Sequence, residues 1–246
     1  MPKINWTNGY VRNDDAALYY EVHQSTQSNA PLLILLHGNG EDMHIFDGRI
    51  EPLLPYYTII TVDTRAQGKS AKGERSLSYE LFAEDLFTLI NKLQIGNFLI
   101  LGFSDGGNTA LELALKHQER VAAMILVGAN LSPDGLTTMT RKGLQFLAAG
   151  RSLKGIFSRK ENRDRDLVRL MLEHPHIDPT RLEKVTIPTL IINGEQDIIK
   201  DEHSRLIESS LPNARRVVIP ETGHFVMKDA PEEFDRIVFE FLMEDD

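Results

Sequence analysis

Ser104 stands in "GFSDGG" (102–107), directly after an oily run and directly before an almost wholly apolar helical stretch. A serine hydroxyl is a weak nucleophile until a base takes its proton, so its chemistry depends on a histidine and on a group that orients that histidine. In a sharp strand-to-helix elbow, the positions two residues either side of the nucleophile come into close backbone contact, and only very small residues fit there. Gly102 and Gly106 meet that requirement for Ser104. For Asp105 the flanking pair is Phe103 and Gly107, and a phenylalanine does not fit, so an aspartyl nucleophile is disfavoured. Eight histidines compete for the role of base. His224, in "IPETGHFV", follows the last strand-like run and a glycine that frees the backbone. His37 closes a strand, His23 ends a hairpin, His203 follows "DIIKDE", and His44 and His117 lie in or near helical text. Asp197, in "LIINGEQD", occupies the corresponding loop of the preceding strand and is the expected orienting carboxylate. Two backbone N–H groups are needed where negative charge develops. Asp105 supplies one as the residue after the nucleophile, and Asn39, next in line after "LLILLHG", supplies the other.

These residues need a scaffold that brings distant loops to one edge. Six short runs provide it: "LLILLH" (32–37), "TIITV" (58–62), "FLILGF" (98–103), "AAMILVG" (122–128), "TLIIN" (189–193) and "RVVIP" (216–220). They are rich in Ile, Leu and Val and most lack polar alternation, the pattern of strands covered on both faces. "YVRNDDAALYYEVH" alternates about an Asn-Asp-Asp turn and reads as a hairpin. Between the runs lie helical segments, one capped by Ser78 and one opened by Pro231. Strand–helix alternation predicts a mainly parallel, doubly wound sheet that binds ligands beyond the carboxyl ends of its strands. Residues 131–184 break the alternation with polar helical text, which predicts a helical insertion over the sheet and not a separate domain.

The 246 residues suffice for one large domain with a sizeable core. A net charge of −9 argues against nucleic acid as the main partner. The absence of cysteine removes disulfides, thiol catalysis and thiolate metal sites together. No apolar run approaches the ~18 residues that span a bilayer, and the first ten residues lack the apolar core of a secretory signal. The expectation is a cytoplasmic protein without a membrane partner. "HPHIDP" (174–179) mimics the spacing of a metal site, yet its histidines straddle a proline and no further ligands stand at suitable spacing, so no metal is expected.

Taken in order, "LLHGNGED", "VDTRAQGKS", "GFSDGG", "IPTLIINGEQD" and "IPETGHF" resemble the α/β-hydrolase superfamily along essentially the whole chain, in its branch of small short-cap serine hydrolases and esterases. The order Ser104, Asp197, His224 matches that family's triad. The resemblance implies an eight-stranded, mostly parallel sheet whose second strand is antiparallel, helices on both faces, and a small helical cap at about 131–184 within a single domain, 1–246. It also implies a cofactor-free hydrolase of a small carboxylic ester or related acyl compound. Carbon–carbon bond hydrolysis, perhydrolysis on the same triad, and a ligand-sensing protein without turnover are the alternatives. One departure is visible: Ala66 replaces the first glycine of the family's D-x-R-G-x-G-x-S loop. Phe46, Met139, Phe146, Phe157 and Met171 are candidates to wall an acyl pocket, against the plainer reading that they pack. The Asp105 carboxylate is a candidate for pairing with a substrate amino group, or for the helix N-terminus. Residues 141–169 carry nine basic side chains against three acidic ones, read as an anion-attracting surface or a solvated face.

Overall fold

The computed structural model describes residues 6–154 and 159–244. Eight strands form one sheet: β1 (Trp6–Asn13), β2 (Ala16–His23), β3 (Leu32–Leu36), β4 (Thr58–Val62), β5 (Phe98–Phe103), β6 (Val121–Val127), β7 (Thr189–Gly194) and β8 (Ala214–Ile219). Their order is β1-β2-β4-β3-β5-β6-β7-β8. β2 runs antiparallel to both its neighbours, β1 and β4, and every pairing from β4 to β8 is parallel. Thus β1 and β2 form one edge of the sheet, β3 and β4 exchange order next to them, and β5 to β8 follow outward to the other edge.

The helices are α1 (Asp47–Leu53), α2 (Tyr79–Lys92), α3 (Asp105–His117), α4 (Thr138–Lys154), α5 (Arg159–Glu173), α6 (Pro179–Leu182), α7 (Asp201–Ser210), α8 (Val226–Asp229) and α9 (Pro231–Leu242). The apolar stripe after Ser78 forms α2, and the Ser78 hydroxyl caps it by accepting from the Leu81 N–H. Pro231 stands in the first turn of α9, where its missing N–H costs nothing. On one face of the sheet α2, α3 and α7 bury Leu86, Leu89, Leu111 and Ile207 against Ile34, Ile100 and Leu126. On the other face α1 and α9 bury Ile50, Leu53, Phe234 and Val238 against Leu35, Leu101 and Ile125. Both faces being dry explains why these strands are continuously apolar. Between β6 and β7, where no strand-like run was expected, the chain forms α4, α5 and α6.

Candidate active site

Every piece of the site leaves the sheet at the carboxyl end of a strand. Ser104 follows β5 and opens α3 with φ 54° and ψ −115°, a conformation that a non-glycine residue holds only when its surroundings impose it. The imposition is visible on both sides. A Cβ on Gly102 would lie 2.3 Å from the Gly106 carbonyl oxygen, and one on Gly106 would lie 2.2 Å from the carbonyl oxygen of Leu36 on β3. The Ser104 N–H is fixed to the Val127 carbonyl of β6 at 2.7 Å.

The Ser104 hydroxyl lies 3.0 Å from His224 Nε2 and donates to it. His224 Nδ1–H in turn donates to Asp197 Oδ1 at 2.6 Å. Asp197 is held by the Ile199 N–H at 3.0 Å on Oδ1 and by the Asn193 side-chain amide at 3.3 Å on Oδ2. Its carboxylate fixes which imidazole nitrogen carries the proton, leaving Nε2 free to accept from the serine. The imidazole is buried, its ring 5.0 Å from that of Phe103.

Asn39 lies after β3 in a loop anchored on each side. His37 is fully buried; its Nδ1–H donates to the Gly38 carbonyl at 2.8 Å, and its Nε2 accepts from the Thr64 N–H at 3.0 Å. Burial pushes its pKa down, so it stays a neutral strut. The Gly40 N–H donates to the Gln67 side chain at 2.5 Å, and the Met43 N–H to Asp63 at 2.9 Å. The Asp105 carboxylate is buried beneath the elbow, where it accepts from the Tyr79 hydroxyl at 2.7 Å and the Asn39 side-chain amide at 2.8 Å. Desolvation raises its pKa to about 6 against the opposing pull of those two donors. These partners come from α2 and the loop after β3, so the carboxylate neither caps its own helix nor faces an open subsite.

Two family models match the chain. The model of the serine hydrolase (FSH1) family covers residues 93–233, and the alpha/beta hydrolase fold model covers residues 31–150. This chain belongs to the α/β-hydrolase superfamily. Among its relatives, a Haemophilus influenzae protein with the provisional name esterase/lipase is 29% identical, over 96% of this chain and 92% of its own length. A 2-hydroxy-6-oxononadienedioate/2-hydroxy-6-oxononatrienedioate hydrolase from Cupriavidus pinatubonensis is 27% identical, over 96% of this chain and 95% of its own. The solved structure of an esterase from Exiguobacterium antarcticum shares the fold with a TM-score of 0.81 and 23% identity, covering 96% of this chain and 99% of that one.

The structure of this α/β hydrolase brings Ser104, His224 and Asp197 together, with Asn39 and Asp105 beside them. The candidate pocket residues that the structure describes fall in different environments. The Phe46 ring is 1% exposed and packs in the core cluster with Ile50, Leu53 and Phe234, because it enters α1 on the side that faces the sheet. Met139 and Phe146, seven residues apart on α4, are 84% and 80% exposed. Phe157 lies outside the described residues, and Met171 on α5 is half-buried. Within the basic stretch, Arg141 pairs with Asp134 and Arg169 with Glu173. Among the described residues, no cluster of three His, Asp or Glu side chains could hold a metal ion, and no helix is long and apolar enough to cross a membrane.

Three contributors carried no motif signal of their own. Gly128, at φ 62° after β6, makes room for the imidazole: a Cβ there would lie 2.6 Å from His224 Cε1. Tyr79 was visible only as the start of α2. Glu41, in the loop after β3, is half-buried with Lys228 3.7 Å away, and desolvation raises its pKa.

Proposed function

We propose that this chain is a serine hydrolase that cleaves a small carboxylic ester or related acyl compound through an acyl-enzyme on Ser104. The observation that carries this reading is the unbroken hydrogen-bonded line from Asp197 through His224 to a serine in a strained elbow. Ser104 Oγ attacks the substrate carbonyl while His224 Nε2 takes its proton, and Asp197 stabilises the imidazolium that forms. The backbone N–H groups of Asn39 and Asp105 receive the developing oxyanion. His224 then protonates the leaving alcohol, and a water activated by the same imidazole frees the acyl group. Residues 131–184, with α4 and α5, act as a cap over this site; the hydrogen bond from the Asn39 side chain to the Leu167 carbonyl of α5, 3.0 Å, supports that role. The relatives' names, an esterase/lipase and a dienedioate hydrolase, support a small acyl or oxo-acid substrate.

The test is covalent labelling with a fluorophosphonate together with burst kinetics on short-chain nitrophenyl esters. Wild type is expected to be labelled and Ser104→Ala to be silent. Asp197→Asn is expected to lose about 10⁴ in kcat while keeping its fold, because an amide leaves the imidazole in the wrong tautomer. A wild type that is never labelled and shows no burst would replace this reading with a ligand-sensing one. The dienedioate relative favours a second reading, carbon–carbon cleavage of an oxo-acid. Faster turnover of such a substrate than of any ester in a panel would establish it.

A further inference from the structure

The oxyanion donors of the proposed reaction come from loops 66 residues apart, and their two side chains are bonded to each other: Asn39 Nδ2 donates to Asp105 Oδ2 at 2.8 Å. The other proton of the same amide goes to the Leu167 carbonyl on α5 at 3.0 Å. Both donor sites of the amide are therefore used, and its plane is fixed from two directions. Asp105 is fixed as well, since its second oxygen accepts from Tyr79, a buried residue of α2, at 2.7 Å. A hydrogen bond to a buried carboxylate is among the stronger kinds, and it joins two side chains with only two torsions each.

We propose that Asn39 is a positioning residue whose side-chain bond to Asp105 sets the spacing of the two oxyanion-hole N–H groups, with the Leu167 carbonyl holding its amide in the orientation that makes the bond. The inference rests on the acyl-enzyme reading above. Its physical basis is the steep cost of misplacing a donor: losing one costs about 10²–10³ in rate, and a shift of ~1 Å already costs about 10². The Asn39 N–H survives in the variants below, so each displaces the donor without deleting it.

The experiment compares Asn39→Ala, the isosteric Asn39→Asp, and Lys72→Ala on a short-chain nitrophenyl ester, with melting curves and fluorophosphonate labelling for each. Lys72 pairs with Asp166 on α5, so its removal loosens a tie to that helix without touching the oxyanion residues. Asn39→Ala is expected to lower kcat by about 10–100-fold, with KM changed less than about threefold and Ser104 still labelled at a reduced rate. Asn39→Asp, which keeps the volume but sets a second carboxylate against Asp105, is expected to lose at least as much. Lys72→Ala is expected to keep the wild-type kcat. The proposal is overturned if either Asn39 variant keeps the wild-type kcat, or if Lys72→Ala matches the loss in Asn39→Ala. An unlabelled wild type would be a different failure, that of the acyl-enzyme reading itself.

Discussion

At the elbow after β5 the backbone is confined on every side, whereas the outer face of α4 leaves Met139 and Phe146 in solvent. The elbow holds a serine at positive φ, two glycines that touch backbone, and a buried carboxylate with two donors. Each of these costs free energy that the surrounding sheet must offset. On α4, Met139 and Phe146 bear no such constraint, being 84% and 80% exposed. The contrast separates a part of the molecule in which residue type follows from geometry from a part in which many residue types would serve.

The largest expected effect tests whether the elbow really stores such a cost. The folded-state pKa of Asp105, raised from an ordinary 3.8 to about 6, means that its contribution to stability is full below about pH 4 and is lost as pH rises through about 6. Two units correspond to about 3 kcal/mol, an upper figure for a hydrogen-bonded site. Denaturant unfolding of wild type and Asp105→Asn at about pH 4 and about pH 7 should show the variant gaining on wild type by up to that amount at the higher pH. A pH-independent difference would mean that the carboxylate is not desolvated, and half the contrast would go. A second test sits one strand away. Gly128→Ala drives a methyl group into the His224 ring and should cut kcat by about a hundredfold, with little change in the melting temperature beyond the strain of its positive φ. Wild-type turnover there would show that the imidazole has room to move. The smallest effect belongs to the other region. Met139→Ser and Phe146→Ser should each shift stability by less than about 0.5 kcal/mol in thermal melts. A loss of several times that size would show α4 packed in solution and would erase the difference between the regions.

That difference also decided what could be read from the sequence. The elbow at Ser104 was legible because backbone contact admits only glycine at positions 102 and 106, and the structure shows those contacts. The inner strands β3 to β7 were legible because both faces of the sheet are covered there, so their apolar runs are unbroken. Whether Phe46 packs or walls a pocket was open in the sequence, because an aromatic side chain beside the loop after β3 fits both until the direction of α1 is known; it packs in the core. The wiring of Asp105 was illegible for a related reason: Tyr79 lies 26 residues before it, and no spacing rule connects α2 to the elbow. Ala66, the departure from the family pattern, takes a φ of 69° and is buried against Leu77, Tyr79 and Phe82. A left-handed alanine costs about 1–2 kcal/mol. Burying its methyl group returns about 0.8 kcal/mol of that. The remainder is a small strain carried by the loop that holds Asn39.

The hydrogen bond between His224 and Ser104 spans 120 residues of sequence. Its partners sit on opposite sides of β6 and β7, so neither can meet the other until those strands have paired. Contacts of such long sequence separation form late, because loop closure must precede any reward from the contact. On the proposed acyl-enzyme reading, Ser104 is thus an assembly sensor. A chain still emerging from the ribosome, or one whose last strand has not docked, carries Ser104 but no base. On that reading, covalent labelling of the serine counts only molecules whose sheet is finished to its far edge, and so reports refolding yield directly.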